Sequence, residues 1–173
     1  VYVTGYTYGS LNDQTSAGDY DIFVEKYCAS NSIVSEDTCI CDVGAYSSNG
    51  IVPCTACTAG MWSTVISATK CGDCNAGTWS IAGMSECTDC NAGTWSIAGM
   101  SECTDCTVGT WSIAGMSECT DCSAGTWSTT IGAMVSTVCE ECLPGQYASD
   151  DGSSSCTTCP PGFICASSST VSP

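Results

Sequence analysis

The sequence has no histidine, no arginine and only two lysines, Lys26 and Lys70, in 173 residues. With 18 acidic residues the net charge is −16. That excludes a nucleic-acid binder, since almost nothing is available to meet phosphates, and it argues against anionic membrane surfaces. Large aliphatic and aromatic residues are also scarce. Leucine occurs only at Leu11 and Leu143, and phenylalanine only at Phe23 and Phe163. A single hydrophobic core for a chain of this length needs far more. No apolar run approaches the roughly 18 residues that a membrane-spanning helix requires. Asn12, Asn31, Asn49, Asn75 and Asn91 all lack the N-x-S/T context, so any glycans are expected to be O-linked, the Ser/Thr-rich tail at 167–172 being the best placed. Catalysis lacks its usual groups, and the carboxylate pairs that exist are copies of one another. An active site needs one unique geometry, so no enzyme activity is expected.

Cysteine is what the chain has in excess: 18 residues, an even number. That density indicates a disulfide scaffold made in an oxidising, extracellular or cell-surface setting. Val1 at the start and the Ser/Thr-rich end read as the borders of a piece of a longer secreted protein.

Self-similarity sets the architecture. Residues 75–90 read NAGTWSIAGMSECTDC, residues 91–106 repeat them identically, and residues 107–122 differ only at the first two positions. Looser copies occupy 42–57, 58–74, 123–142 and 143–159, and a partial copy starts at Pro160. The shared pattern is C-x-x-G-x-aromatic, a turn-rich loop, then C-x-x-C. Its aromatics are Tyr46, Trp62, Trp79, Trp95, Trp111, Trp127 and Tyr147, with Phe163 directly after Gly162 in the partial copy. A period near 16 carries no 3.6-residue apolar stripe. Short β-prone pieces such as Thr78–Ile81, set among Gly, Ser and Thr, predict irregular hairpins. Positive φ is expected at the glycine two residues before each tryptophan, and turns at Gly83, Gly99 and Gly115.

The predicted fold is therefore small, disulfide-rich and mostly β or irregular: an elongated tandem-repeat rod of short hairpins with an N-terminal β segment. The organisation reads as a β-hairpin segment at 1–27, a linker or first disulfide unit at 28–41, tandem cysteine-rich repeats at 42–159, and a partial repeat with its tail at 160–173. Each unit is expected to touch mainly its neighbours. Ring burial is the main apolar gain on offer, so one buried aromatic per unit is expected, with glycan binding by exposed aromatics as the rival reading.

Any pairing of cysteines should translate from copy to copy. Joining each cysteine to the next gives Cys28–Cys39, Cys41–Cys54, Cys57–Cys71, Cys74–Cys87, Cys90–Cys103, Cys106–Cys119, Cys122–Cys139, Cys142–Cys156 and Cys159–Cys165. A loop of about 15 residues closed this way is worth roughly 3 kcal/mol through the entropy removed from the unfolded chain. The rival scheme closes each C-x-x-C on itself and forfeits most of that stabilisation. Seven C-x-x-C motifs in series without histidine read as structural rather than as zinc, iron–sulfur or thioredoxin-type sites.

Acidic residues recur beside those motifs: Glu86 and Asp89, Glu102 and Asp105, Glu118 and Asp121, then Glu140 and Glu141. The plain reading is solvated charge. The sharper one is weak Ca²⁺ binding along one edge, though calcium wants six to eight oxygens and each unit offers one Glu and one Asp. Asp13, Asp19 and Asp21 form a similar candidate near the start. No other cofactor is expected.

The units C-x-x-G-T-W-S…C-x-x-C resemble the cysteine-rich repeats of ephrin-receptor ectodomains and the first half-module of tumour necrosis factor receptor domains, over residues 39–165. The first 27 residues, VYVTGYTYGS…AGDYDIFVEKY, resemble one blade of a bacterial-type (SBBP-class) β-propeller. Such blades joined to such repeats resemble the mastigoneme-like surface filament proteins of algae and protists. These resemblances imply an extracellular structural component that self-associates into a fibre. The alternative is the stalk of a receptor or adhesin that binds a protein or glycan ligand.

Overall fold

The computed structural model describes residues 2–7, 21–26, 28–36, 38–165 and 171–172. Among the described residues there is no α-helix, only a succession of two-stranded antiparallel hairpins and one 3-10 turn, Ser136–Val138. Nine disulfides close consecutive loops: Cys28–Cys39, Cys41–Cys54, Cys57–Cys71, Cys74–Cys87, Cys90–Cys103, Cys106–Cys119, Cys122–Cys139, Cys142–Cys156 and Cys159–Cys165. The fold is the small, disulfide-rich, tandem-hairpin class expected from composition and repeat.

The chain packs as two compact units, one comprising Val1–Cys57 with Ser63–Cys71 and the other Thr58–Trp62 with Gly72–Pro173. In the first, Tyr2–Thr7 pairs with Asp21–Lys26 in a register that runs from Tyr2 opposite Lys26 to Thr7 opposite Asp21. Ser32–Ser35 pairs with Thr38–Cys41, and Ala45–Tyr46 with Thr55–Ala56. The Gly44 N–H donates to the Ser63 carbonyl at 2.8 Å, and the Cys57 N–H to the Gly44 carbonyl at 2.8 Å.

The second unit holds the near-identical copies. In each, a β-branched threonine and a tryptophan form a two-residue strand, favoured by both residue types. Thr78–Trp79 pairs with Thr88–Asp89, Thr94–Trp95 with Thr104–Asp105, and Thr110–Trp111 with Thr120–Asp121. The strand starts after a turn in which Thr78 donates both its N–H and its hydroxyl to the Asn75 carbonyl, at 3.1 and 2.8 Å. One further backbone bond closes the hairpin, Cys90 N–H to the Gly77 carbonyl at 2.9 Å, and it recurs as Cys106 to Gly93 and Cys122 to Gly109.

Three bonds then join one disulfide loop to the next, and they recur along the stack. Gly77 N–H donates to the Ser96 carbonyl at 2.7 Å, as Gly93 does to Ser112. Gly99 N–H donates to the Cys74 carbonyl at 2.9 Å, as Gly115 does to Cys90. The Ser96 hydroxyl donates to the Thr78 carbonyl at 3.0 Å, as Ser112 does to Thr94. The backbone polar groups that two-residue strands leave unpaired are thus satisfied by the neighbouring copy.

Contact extends beyond nearest neighbours, which differs from the expectation. A methyl group built on Gly77 would fall well inside van der Waals contact of the Gly115 carbonyl, two copies along, and Gly60 meets Gly99, Gly93 meets Gly132 and Gly109 meets Gly152 in the same way. These close approaches occur because the glycine lacks a Cβ and holds positive φ, +83° at Gly77.

The interior of this unit is a column of small residues. The first cysteine of each loop, Cys74, Cys90, Cys106 and Cys122, is fully buried, and so are Ser80, Ser96 and Ser112 directly after the tryptophans. The indoles are only half-buried, so the ring does not take the interior place expected of it. Backbones that approach at glycine carbonyls leave room for a serine there and not for an indole. Ser96→Ala is accordingly expected to destabilise the unit by about 1–2 kcal/mol, because the Thr78 carbonyl loses its buried donor, as read by the midpoint of thermal or denaturant unfolding. The Cys142–Cys156 copy already has Ala148 at this position.

Candidate interaction surface

Each copy presents the same side chains to solvent. The residue after the buried serine is an exposed aliphatic: Ile81 and Ile97 are 57% exposed and Ile113 is 55% exposed. Ile131 of the longer loop is also exposed. The cause is local, because a serine turned inward puts the next residue outward in an extended chain. The result is a series of isoleucines on corresponding places of successive copies, which no packing within the chain accounts for.

The acidic series is exposed too. Asp89, Asp105 and Asp121 sit on strands opposite Thr78, Thr94 and Thr110, while Glu86, Glu102 and Glu118 lie in the turns before them. Asp121 lies beside the Gly152 turn, and the Asp151 carboxylate accepts the Ala124 N–H at 2.7 Å. Among the described residues no three of His, Cys, Asp and Glu gather as a metal-ligand set, so the structure does not bring Glu86, Asp89, Glu102, Asp105, Glu118 and Asp121 together as calcium ligands. Asp13 and Asp19 lie outside the described residues, as does most of the 167–172 tail. The cysteines are all in disulfides, leaving no thiol for metal or redox chemistry. Nine such bonds belong to an oxidising environment.

The repeat aromatics Trp62, Trp79, Trp95, Trp111, Trp127, Tyr46 and Tyr147 are half-buried beside their hairpins, and Phe163 is exposed. One of them differs in setting. The Cys122–Cys139 loop spans 17 residues where the three loops before it span 13. Its extra length folds back, with Ala133 bridging the Trp111 backbone and the Ser136–Val138 turn beyond it. Trp111 becomes one wall of an open cleft of ≈ 300 Å³.

No protein-family model matches the chain, and no curated protein matches it. What stands is a cysteine-rich repeat of tandem, disulfide-stapled hairpins. Among the described residues no helix is long and apolar enough to cross a membrane.

Nothing in the composition singled out the isoleucine series or the Trp111 cleft. The signal for the first was present in the repeat, where an aliphatic residue follows W-S in every near-identical copy. The cleft depends on the four extra residues of one loop, whose path spacing alone does not give.

Proposed function

We propose that this chain is a structural segment of an extracellular filament or surface appendage of the mastigoneme-like kind, which assembles by self-association of its repeated units. The observation that carries this reading is the exposed isoleucine series, repeated from copy to copy on a scaffold whose copy-to-copy bonds also repeat. An apolar feature repeated at regular intervals suits lateral or head-to-tail contact between like chains. The ephrin-receptor-like repeat pattern and the propeller-like start of the sequence fit the same reading. The function is mechanical: small crosslinked units resist proteolysis and extension.

Charge governs when assembly occurs. Chains that each carry −16 repel one another, so association is expected to strengthen with ionic strength or divalent cations. The test is sedimentation and electron microscopy of the full chain across a salt series. Oligomers or filaments are expected at high salt. A chain that stays monomeric in every ionic condition overturns the reading. The combined substitution Ile81→Ser, Ile97→Ser and Ile113→Ser is expected to suppress that association. It should also leave the unfolding midpoint nearly unchanged, since exposed substitutions usually act within about 0.5 kcal/mol each.

A further inference from the structure

We propose that the cleft on Trp111 is a recognition site for the guanidinium of an arginine side chain on a partner protein. The site is independent of the filament reading. Its lining joins an indole to a carboxylate and several hydroxyls: Trp111, Thr120, Asp121, Thr126 and Ser136, with the Cys122–Cys139 disulfide in its wall. The volume, ≈ 300 Å³, is at the low end of what small ligand groups occupy.

The chemistry of this lining selects the ligand. A tryptophan face is the best aromatic partner for a cation. An arginine guanidinium is planar, stacks on such a face, and presents a fork of N–H donors that a carboxylate accepts in pairs. The Thr126 hydroxyl donates to the Ser123 carbonyl at 2.6 Å, which leaves its lone pairs to accept from a ligand. Thr120 and Ser136 add further hydroxyl oxygens. The net charge of −16 attracts cations and disfavours anions. The arginine must come from outside these 173 residues, which contain none. Walls matter as much as groups. The pairing of Thr110–Trp111 with Thr120–Asp121 is repeated at Thr78–Trp79 and Thr94–Trp95, but Ser136 and its turn belong to the longer loop.

The test is titration of the full chain with N-acetylarginine amide at about 0.15 M salt, where charges farther than ~8 Å are screened, following each tryptophan indole N–H by NMR. A Trp111→Phe variant identifies the Trp111 resonance. A saturable shift is expected at Trp111 and not at Trp79 or Trp95, and Asp121→Asn should weaken it at least tenfold. Asp121 is exposed, so this variant is expected to keep its disulfides and its melting point. Equal shifts at every indole would mean diffuse attraction and overturn the proposal, as would unchanged binding by Asp121→Asn. Saturable binding of a neutral methyl glycoside with no response to the arginine probe would also overturn it, and would make the cleft a saccharide site.

Discussion

Replacing Gly77 with alanine is expected to disrupt the stack, while the same change at Gly115 is tolerated. Both glycines have positive φ, +83° and +75°. Alanine in that conformation costs on the order of 1–2 kcal/mol at either site. Their surroundings differ. A Cβ on Gly115 meets nothing within 4 Å, whereas a Cβ on Gly77 overlaps the backbone carbonyl of Gly115 itself. Backbone cannot rotate aside as a side chain can. The Cys106–Cys119 loop, two copies along, would have to shift, and its bonds to the copy between would be lost. Overpacking adds about 1–3 kcal/mol, so Gly77→Ala should destabilise by roughly 2–5 kcal/mol in all and Gly115→Ala by about 1–2. Chemical denaturation of the two variants side by side checks the difference. Equal effects would mean that copies two apart do not touch.

Reduction of the nine disulfides is expected to unfold the described hairpins outright. Among the described residues the buried set consists of cysteines, serines, alanines and glycines, with no large aliphatic side chain. From Ala45 onward each hairpin has only two-residue strands, far below what stands alone in water. Crosslinks must therefore supply what a core supplies elsewhere. Loss of both far-ultraviolet structure and the near-ultraviolet tryptophan signal in strong reductant is the predicted readout. A single staple is a smaller test. Converting Cys90 and Cys103 together to alanine should cost about 2–5 kcal/mol, the range for a native bridge in a small secreted domain. Because Cys90 is fully buried while its partner Cys103 is only partly so, the cavity at Cys90 adds to that loss. Retention of native circular dichroism after complete reduction would mean that packing, not crosslinking, holds the chain.

Much of the hairpin pattern was legible from the repeat. Thr78 and Trp79 are β-prone residues between a glycine and a C-x-x-C, and each near-identical copy adopts the same register. The glycines at 77, 93 and 109 were legible as positive-φ positions, because G-x-aromatic leaves little else for a glycine to do. Two things were not legible. One is that these glycines face a carbonyl two copies along, which depends on how successive layers rotate, and a one-dimensional repeat does not encode that rotation. The other is the exchange of roles between Trp79 and Ser80. Burial of the larger ring is the better choice on transfer free energy. Close backbone approach reverses it, because only small residues fit where the layers meet. The clue was that every copy from Tyr46 to Tyr147 follows its aromatic with serine or alanine. The Trp111 cleft escaped for a third reason. A four-residue extension can fold in many ways, and its 3-10 turn follows from where Ala133 bridges Trp111.

Disulfide mapping under non-reducing conditions tests the layered, consecutively stapled structure most directly. Cleavage after Lys70 and before Asp73 isolates Cys71 from both its neighbours in the loop Cys57–Cys71 and from Cys74. The short Cys71 fragment should then be found joined to the peptide that carries Cys57. Finding it joined to Cys74 would mean that each C-x-x-C closes on itself and would contradict the structure described here.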